Sequence, residues 1–124
     1  MLNNSGKYVK TVILIKELLK DFDNDFTFTG QTPGKSGVNI TLQVNKDKSE
    51  PVVDKKTGRL KDDNYLAVFP VTIVGATYPL PFKKGDRVSI GDFRPEISYY
   101  IDYKLILRFG EIHLREEKND TNEK

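Results

Sequence analysis

Residues 37–45, GVNITLQVN, constrain the fold more than any other stretch of the chain. Val38, Ile40, Leu42 and Val44 alternate with Asn39, Thr41, Gln43 and Asn45. A strand sends successive side chains to opposite faces, whereas a helix would scatter these four apolar residues around its circumference. The stretch is therefore read as a half-buried strand with one dry and one wet face. Its dry face needs partners, so the segment is expected to lie in the middle of a small closed sheet. A ligand would first be sought on its wet side.

The flanking segments supply candidate partners. Residues 8–20, YVKTVILIKELLK, are ambiguous alone. Val12, Ile15, Leu19 and Phe22 would line one helical face, and KELLK is rich in helix formers. The β-branched residues Thr11, Val12, Ile13 and Ile15 favour a strand buried on both faces, and the strand is preferred. DFDND at 21–25 is a turn, because Asp and Asn tolerate left-handed backbone. FTFT at 26–29 is a short strand with Phe26 and Phe28 on one side, and GQTPGKSG at 30–37 is a mobile loop. Residues 46–63 lack apolar periodicity and hold six basic and five acidic residues, which suggests a long hairpin arm with its tip at Thr57-Gly58. In residues 65–74, Tyr65, Ala67, Phe69, Val71 and Ile73 share one face, and Pro70 marks an edge, a bulge or a bend. Residues 84–93 read as turn, strand, turn, with Val88 and Ile90 inward. Residues 99–114 read as one long last strand, with a bulge or corner at Gly110 where the apolar phase flips.

These elements predict an all-β fold: a five-stranded Greek-key OB-fold barrel with long loops and little or no helix. The 124 residues fit one domain, assigned to 1–115. Residues 116–124 carry four acids and two lysines and read as a disordered acidic, polar tail. That leaves +4 of the opposite sign on residues 1–115, against +2 for the whole chain. With no Cys, no apolar leader and no membrane-length apolar run, the expected setting is soluble and cytoplasmic, with no membrane contact.

The sequence holds no constellation for catalysis, and no enzyme, metal site or cofactor is expected. His113 stands alone near the end of the last strand. Asp21, Asp23 and Asp25 alternate, but the central Gly and closing Glu of a calcium loop are missing. TGQTPGKS spaces Gly30 and Gly34 wrongly for a phosphate loop.

Five segments in order carry a family resemblance: VILIKELLKD (12–21), TPGKSGVNITLQVN (32–45), DKKTGRLK (54–61), VTIVG (71–75) and KKGDRVSIGDF (83–93). Over roughly residues 11–115 the chain resembles the bacterial and phage single-stranded-DNA-binding (SSB) proteins, as a short phage-type version. The first segment resembles that family's first strand, the second its second strand with the loop ahead, and the third the charged tip between strands 2 and 3. The last two resemble the end of strand 3 and strand 4. The chain departs from the family at Lys16, where a Gly is usual, and in having no Trp. GATYPLPF (75–82) replaces the family's helix between strands 3 and 4, and the tail has no Pro-Phe tip. The resemblance implies coating of single-stranded DNA during replication, recombination or repair. It also implies homo-oligomers, tetramers before dimers, and contact with replication and recombination proteins.

Sequence-tolerant single-strand binding needs aromatic platforms for bases and cations along the backbone path. The platform candidates are Tyr65 and Phe69 on the third strand, and Phe93, Tyr99 and Tyr100 flanking the loop FRPEIS. Tyr103 and Phe109 are assigned to core. The phosphate candidates are Lys35; Lys46, Lys48, Lys55, Lys56, Arg59 and Lys61 in the arm; Arg87 and Arg94 near the fourth strand; and Lys104 and Arg108 on the last. The competing reading is a small β module that docks proteins or serves in phage assembly without nucleic acid.

Overall fold

The structure is a computed structural model, and it describes residues 2–10, 12–102 and 104–115. The expectations for Tyr103 and for the tail at 116–124 lie outside the described residues. The described chain opens with a 3₁₀ turn, Ser5–Tyr8, and helix α1, Ile15–Asp21. Strands β1 (Phe26–Pro33), β2 (Gly37–Val44), β3 (Val68–Val74) and β4 (Arg87–Phe93) follow, then a 3₁₀ turn at Pro95–Ile97. Strands β5 (Tyr99–Ile101), β6 (Lys104–Ile106) and β7 (Arg108–Leu114) complete it.

β1, β2, β3, β7 and β4 close into a barrel in that order, and β4 returns to β1. Every barrel pairing is antiparallel except β3 with β7. This is the expected all-β, five-stranded barrel of OB type. β2 is its centre, as the alternation demanded. Val38, Ile40, Leu42 and Val44 are buried and pair across to Ile73, Val71, Phe69 and Ala67 on one side. Gly37 is required where β2 meets β3, because a Cβ there would lie 2.0 Å from the Ile73 carbonyl oxygen.

β1 runs four residues past FTFT, so much of the expected GQTPGKSG loop is strand. A register shift between Phe28 and Gly30 absorbs the Gly, and Pro33 falls at the strand's end where a missing donor matters little. Pro70 also sits where no donor is asked for. The β3–β7 ladder spans Thr72 and Ile73, leaving the earlier half of β3 as an edge on that side.

The strand preferred within residues 8–20 is not formed. Residues 9 and 13 make an isolated bridge, and the chain then turns into α1. Leu18 and Phe22, one helical turn apart, are fully buried, and Phe22 packs edge-on between Tyr8 and Phe26. Burying each of them is worth about 1.5–3 kcal/mol, while the whole β-propensity scale spans only about 1 kcal/mol. Packing therefore overrides the β-branched cluster, and Val12 is left exposed.

The long last strand is also corrected. Residues 99–106 fold into a separate hairpin, with Tyr99 opposite Ile106, Tyr100 opposite Leu105 and Ile101 opposite Lys104. The chain turns at Asp102, whose φ of 50° is one that Asp accepts more readily than most residues. β7 then pairs with β4 in unbroken register. The phase flip expected near Gly110 is real and is shared by both strands. Inward residues change from Ile90 to Phe93 on β4 and from Ile112 to Phe109 on β7, with Asp92 at φ 56°. Gly110 leaves room for the Asp92 carboxylate, which would stand 2.0 Å from a Cβ there.

The arm at 46–63 is present, with a bridge between Val53 and Leu60 and a left-handed Gly58 at its tip. Its base is tied to the start of the chain. The Asn64 side chain is buried, donates to the Asn3 carbonyl at 3.0 Å and accepts from the Asn3 N–H. The Asn64 backbone N–H donates to Asp47 at 2.8 Å. Asn3 and Asn4 donate to the carbonyls of Asp63 and Asp62. No helix among the described residues is long and apolar enough to cross a membrane.

Candidate nucleic-acid interface

The wet face of β1, β2 and β3 satisfies itself. Thr29 and Thr41 hydroxyls meet at 2.6 Å, Thr27 donates to Asn45 at 2.9 Å, and Thr72 donates to Asn39 at 2.8 Å. These residues carry neither rings nor charges, so the face where a ligand was first sought offers little beyond a neutral hydrogen-bonded surface.

The five platform candidates separate by burial. Phe69 is 3% exposed and packs against Phe26 with ring centroids 5.4 Å apart, so it belongs to the core and offers no open face. Tyr65, expected on the same side of the same strand, lies before β3 begins. Leu66 adopts φ 66°, which breaks the alternation and leaves Tyr65 60% exposed. Phe93 is half-buried against Phe109 at 5.2 Å. Tyr100 is half-buried with its hydroxyl against Gly6. Tyr99 is 47% exposed on the outer face of the β5–β6 hairpin.

Phe93, Tyr99 and Tyr100 do come together. With Val12, Ile13 and Pro95 they line a groove of 370 Å³ between the first bridge of the chain and the β4–β5 connection. That connection is held by a short relay. The Ser98 hydroxyl donates to the Arg94 carbonyl at 2.7 Å and accepts from the Arg108 N–H at 3.0 Å. The Arg94 N–H donates to the Arg108 carbonyl at 2.9 Å. The Arg108 guanidinium donates to the Ile97 carbonyl and lies 5.7 Å from the Tyr99 ring centre. A cation at the start of β7 is thus fixed beside a half-exposed ring at the start of β5, with the loop between β4 and β5 braced against both.

The cation candidates divide as sharply. Arg87 is bound to Asp25, a carboxylate with no exposed surface, through both Nε and Nη2. Lys46 reaches Asp23 at 3.3 Å and Asp25 at 3.8 Å, and Lys48 reaches Asp23 at 3.6 Å. Arg115 joins the cluster at 3.8 Å from both acids and also donates to the carbonyls of Asp23 and Asn24. Burial works against ionising Asp25, but hydrogen bonds from Arg87 and Asn45 outweigh it and hold the carboxyl below the usual range. Asp23 is lowered by its hydrogen bond to Lys46 and the charge of Lys48. Arg87 is therefore committed to a structural ion pair, and Arg94 is likewise drawn to Asp92 at 2.8 Å.

Lys35, Lys55, Lys56, Arg59, Lys61 and Lys104 are exposed, and none has an acidic partner at ion-pair distance among the described residues. Arg115 was missed by sequence reasoning, because nothing local marks a residue after the last strand as part of a network anchored 90 residues earlier. The hairpin was missed because its two strands are only three residues each and Asp102 is a weak turn signal. Among the described residues no group of His, Asp and Glu could hold a metal ion.

No protein-family model, no curated protein and no solved structure matches this chain. Of the five segments quoted above, the first, 12–21, is mostly helix, Ile15–Asp21.

Proposed function

We propose that this protein binds single-stranded DNA without strong sequence preference, as an SSB-like protein of replication, recombination or repair. The observation that carries the reading is Tyr99, half-exposed at the start of β5 beside Arg108 of β7, next to the braced β4–β5 connection, with Phe93 in the adjoining groove. OB barrels bind strands through this loop region and the neighbouring barrel face, and a ring beside a fixed cation accepts any base with its phosphate. Tyr65 extends the path toward the arm, where Arg59 and Lys61 are unpaired among the described residues. Oligomers of the chain, tetramers before dimers, would lengthen that path and offset the small charge excess. The test is a titration of oligo-dT and of an equal-length duplex at low salt. Binding of the single strand with the duplex disfavoured is expected. No oligo-dT binding below about 10 μM would remove the reading, since even non-specific nucleic-acid binding reaches that range.

A second reading is favoured by one observation. Val12, which lines the same groove, is exposed, and Ile97 and Ile101, also exposed, are close in sequence to others of its lining residues. An apolar patch of this kind would suit a protein partner, as in a phage assembly. Substituting Val12→Ser with oligo-dT affinity unchanged is expected if the groove's apolar rim serves a protein instead of DNA.

A further inference from the structure

We propose that the hollow between β3 and β6 takes one unstacked nucleobase, with the adjoining phosphate held by Lys104. This rests on the single-strand reading and names what one part of the interface accepts.

The hollow exists because β3 is left unpaired on one side. Its ladder with β7 spans Thr72 and Ile73, and Pro70, lying before it, has no N–H to offer. β6 and the first residues of the chain cover the gap without filling it. A cavity of 200 Å³ remains, walled by Leu2, Phe69, Pro70, Leu105 and Ile106, with Lys104 also lining it. The lining is apolar apart from Lys104 and Ser5, and Ser5 is buried with an interaction of its own. Pockets for whole drug-sized ligands run to roughly 300–1,000 Å³, so this one suits a single flat ring system.

The charge at the rim selects an anion. Lys104 is exposed and has no acidic partner at ion-pair distance among the described residues. The register of the hairpin puts Lys104 and Ile106 on the face that also carries Tyr99 and Ile101. An apolar slot beside a cation fits a planar base attached to a phosphate. Taking a base out of a stack costs least in a strand that is already single, so the slot would also discriminate against duplex. No side chain in its wall is placed to read a base edge, so occupancy would depend on shape and charge more than on base identity. Phe69, too buried to serve as a platform, acts here only as part of the floor.

The test uses the full chain labelled with ¹⁵N. Thymidine monophosphate is titrated while the amides of Lys104, Leu105 and Ile106 are followed, with octanoate as a second arm. Oligo-dT affinity is then measured for the parent chain, Lys104→Gln and Ile106→Trp. The nucleotide and the oligomer are expected to move the same amides. Ile106→Trp, which fills the slot, should weaken oligomer binding by about 5- to 150-fold, the equivalent of one stacked base. Lys104→Gln should lower the slope of log affinity against log salt by about 0.7. If Ile106→Trp does not fold, the surface substitution and the nucleotide shifts decide the matter.

If the oligomer binds all three chains alike and the three amides stay still, the slot is wrong while the wider interface stands. If octanoate moves those amides and the nucleotide does not, the occupant is an acyl anion and the nucleobase assignment is overturned. If the nucleotide moves them but no oligomer binds, the slot stands and the single-strand reading falls. If neither the nucleotide nor the oligomer binds, both fall.

Discussion

Two groups of cations of the same chemical types sit in this molecule under opposite conditions. At the barrel end formed by the starts of β1 and β4, Arg87, Lys46, Lys48 and Arg115 gather around Asp23 and Asp25. On the arm and the hairpin, Arg59, Lys61 and Lys104 have no acidic partner within reach among the described residues. The first group spends its charge holding four distant chain segments together. The second leaves it facing solvent. A sequence count treats the two groups alike, and the difference between them is what makes a body charge of +4 a poor guide to binding.

The largest effect that separates the two groups should be on stability. Asp25→Ala leaves Arg87 without this carboxylate and removes the acceptor of the Asn45 side-chain N–H. Breaking a fully buried pair costs roughly 3–5 kcal/mol. Arg87 keeps 37% of its side chain exposed, so water recovers part of that and a loss of about 1–3 kcal/mol is expected from urea unfolding. A loss as small as that of a surface ion pair would mean the cluster is not structural. Asp25 and Asp23 both have folded pKa values below their unfolded ones. The stability they confer is therefore complete above the unfolded carboxylate range near about pH 4. It declines as pH falls below that range and through the folded values. The parent chain should show this acid loss, and Asp25→Ala should show a smaller one.

Next in size is Tyr99→Ala, which removes the exposed ring beside Arg108. Oligo-dT affinity should fall by about 1–3 kcal/mol with the melting temperature nearly unchanged. Unchanged affinity would move the interface away from the hairpin. Arg59→Gln and Lys61→Gln together should lower the salt slope for single strands by about 1.4, since each neutralised phosphate contributes about 0.7. Asn39→Ala should matter least. It removes one exposed hydrogen bond to Thr72, worth about 0.5–1.5 kcal/mol in stability, and leaves binding as it was. A clear loss of affinity there would return the site to the wet face of β2.

The parts of the fold that were legible are those where one local rule acts alone. β2 reads cleanly because alternation, flanking Gly and β-branched content agree. β4 reads well for the same reason, and the arm's tip follows from Thr57-Gly58. The N-terminal region was misread because two rules conflict there, and the deciding term, burial of Leu18 and Phe22, belongs to the tertiary structure. The hairpin is hidden by a period of two that runs on through Asp102: one continuous strand would put Tyr99 and Leu105 on one face, whereas the hairpin puts them on opposite ones. Phe69 and Tyr65 show the same limit in one short stretch of chain. A single left-handed residue, Leu66, decides which ring faces water, and Leu is a residue from which no one would infer it.

The central claim is that the hairpin region binds single strands through rings and unpaired cations. It is tested most directly by titrating the full chain with poly-dT at several salt concentrations, read by quenching of Tyr fluorescence, since there is no Trp. The account predicts saturable quenching and weak duplex binding. It also predicts a modest log–log salt slope of about −2 to −3, from Arg59, Lys61, Lys104 and Arg108 at about 0.7 each. No quenching at low salt, or equal affinity for duplex, would contradict it.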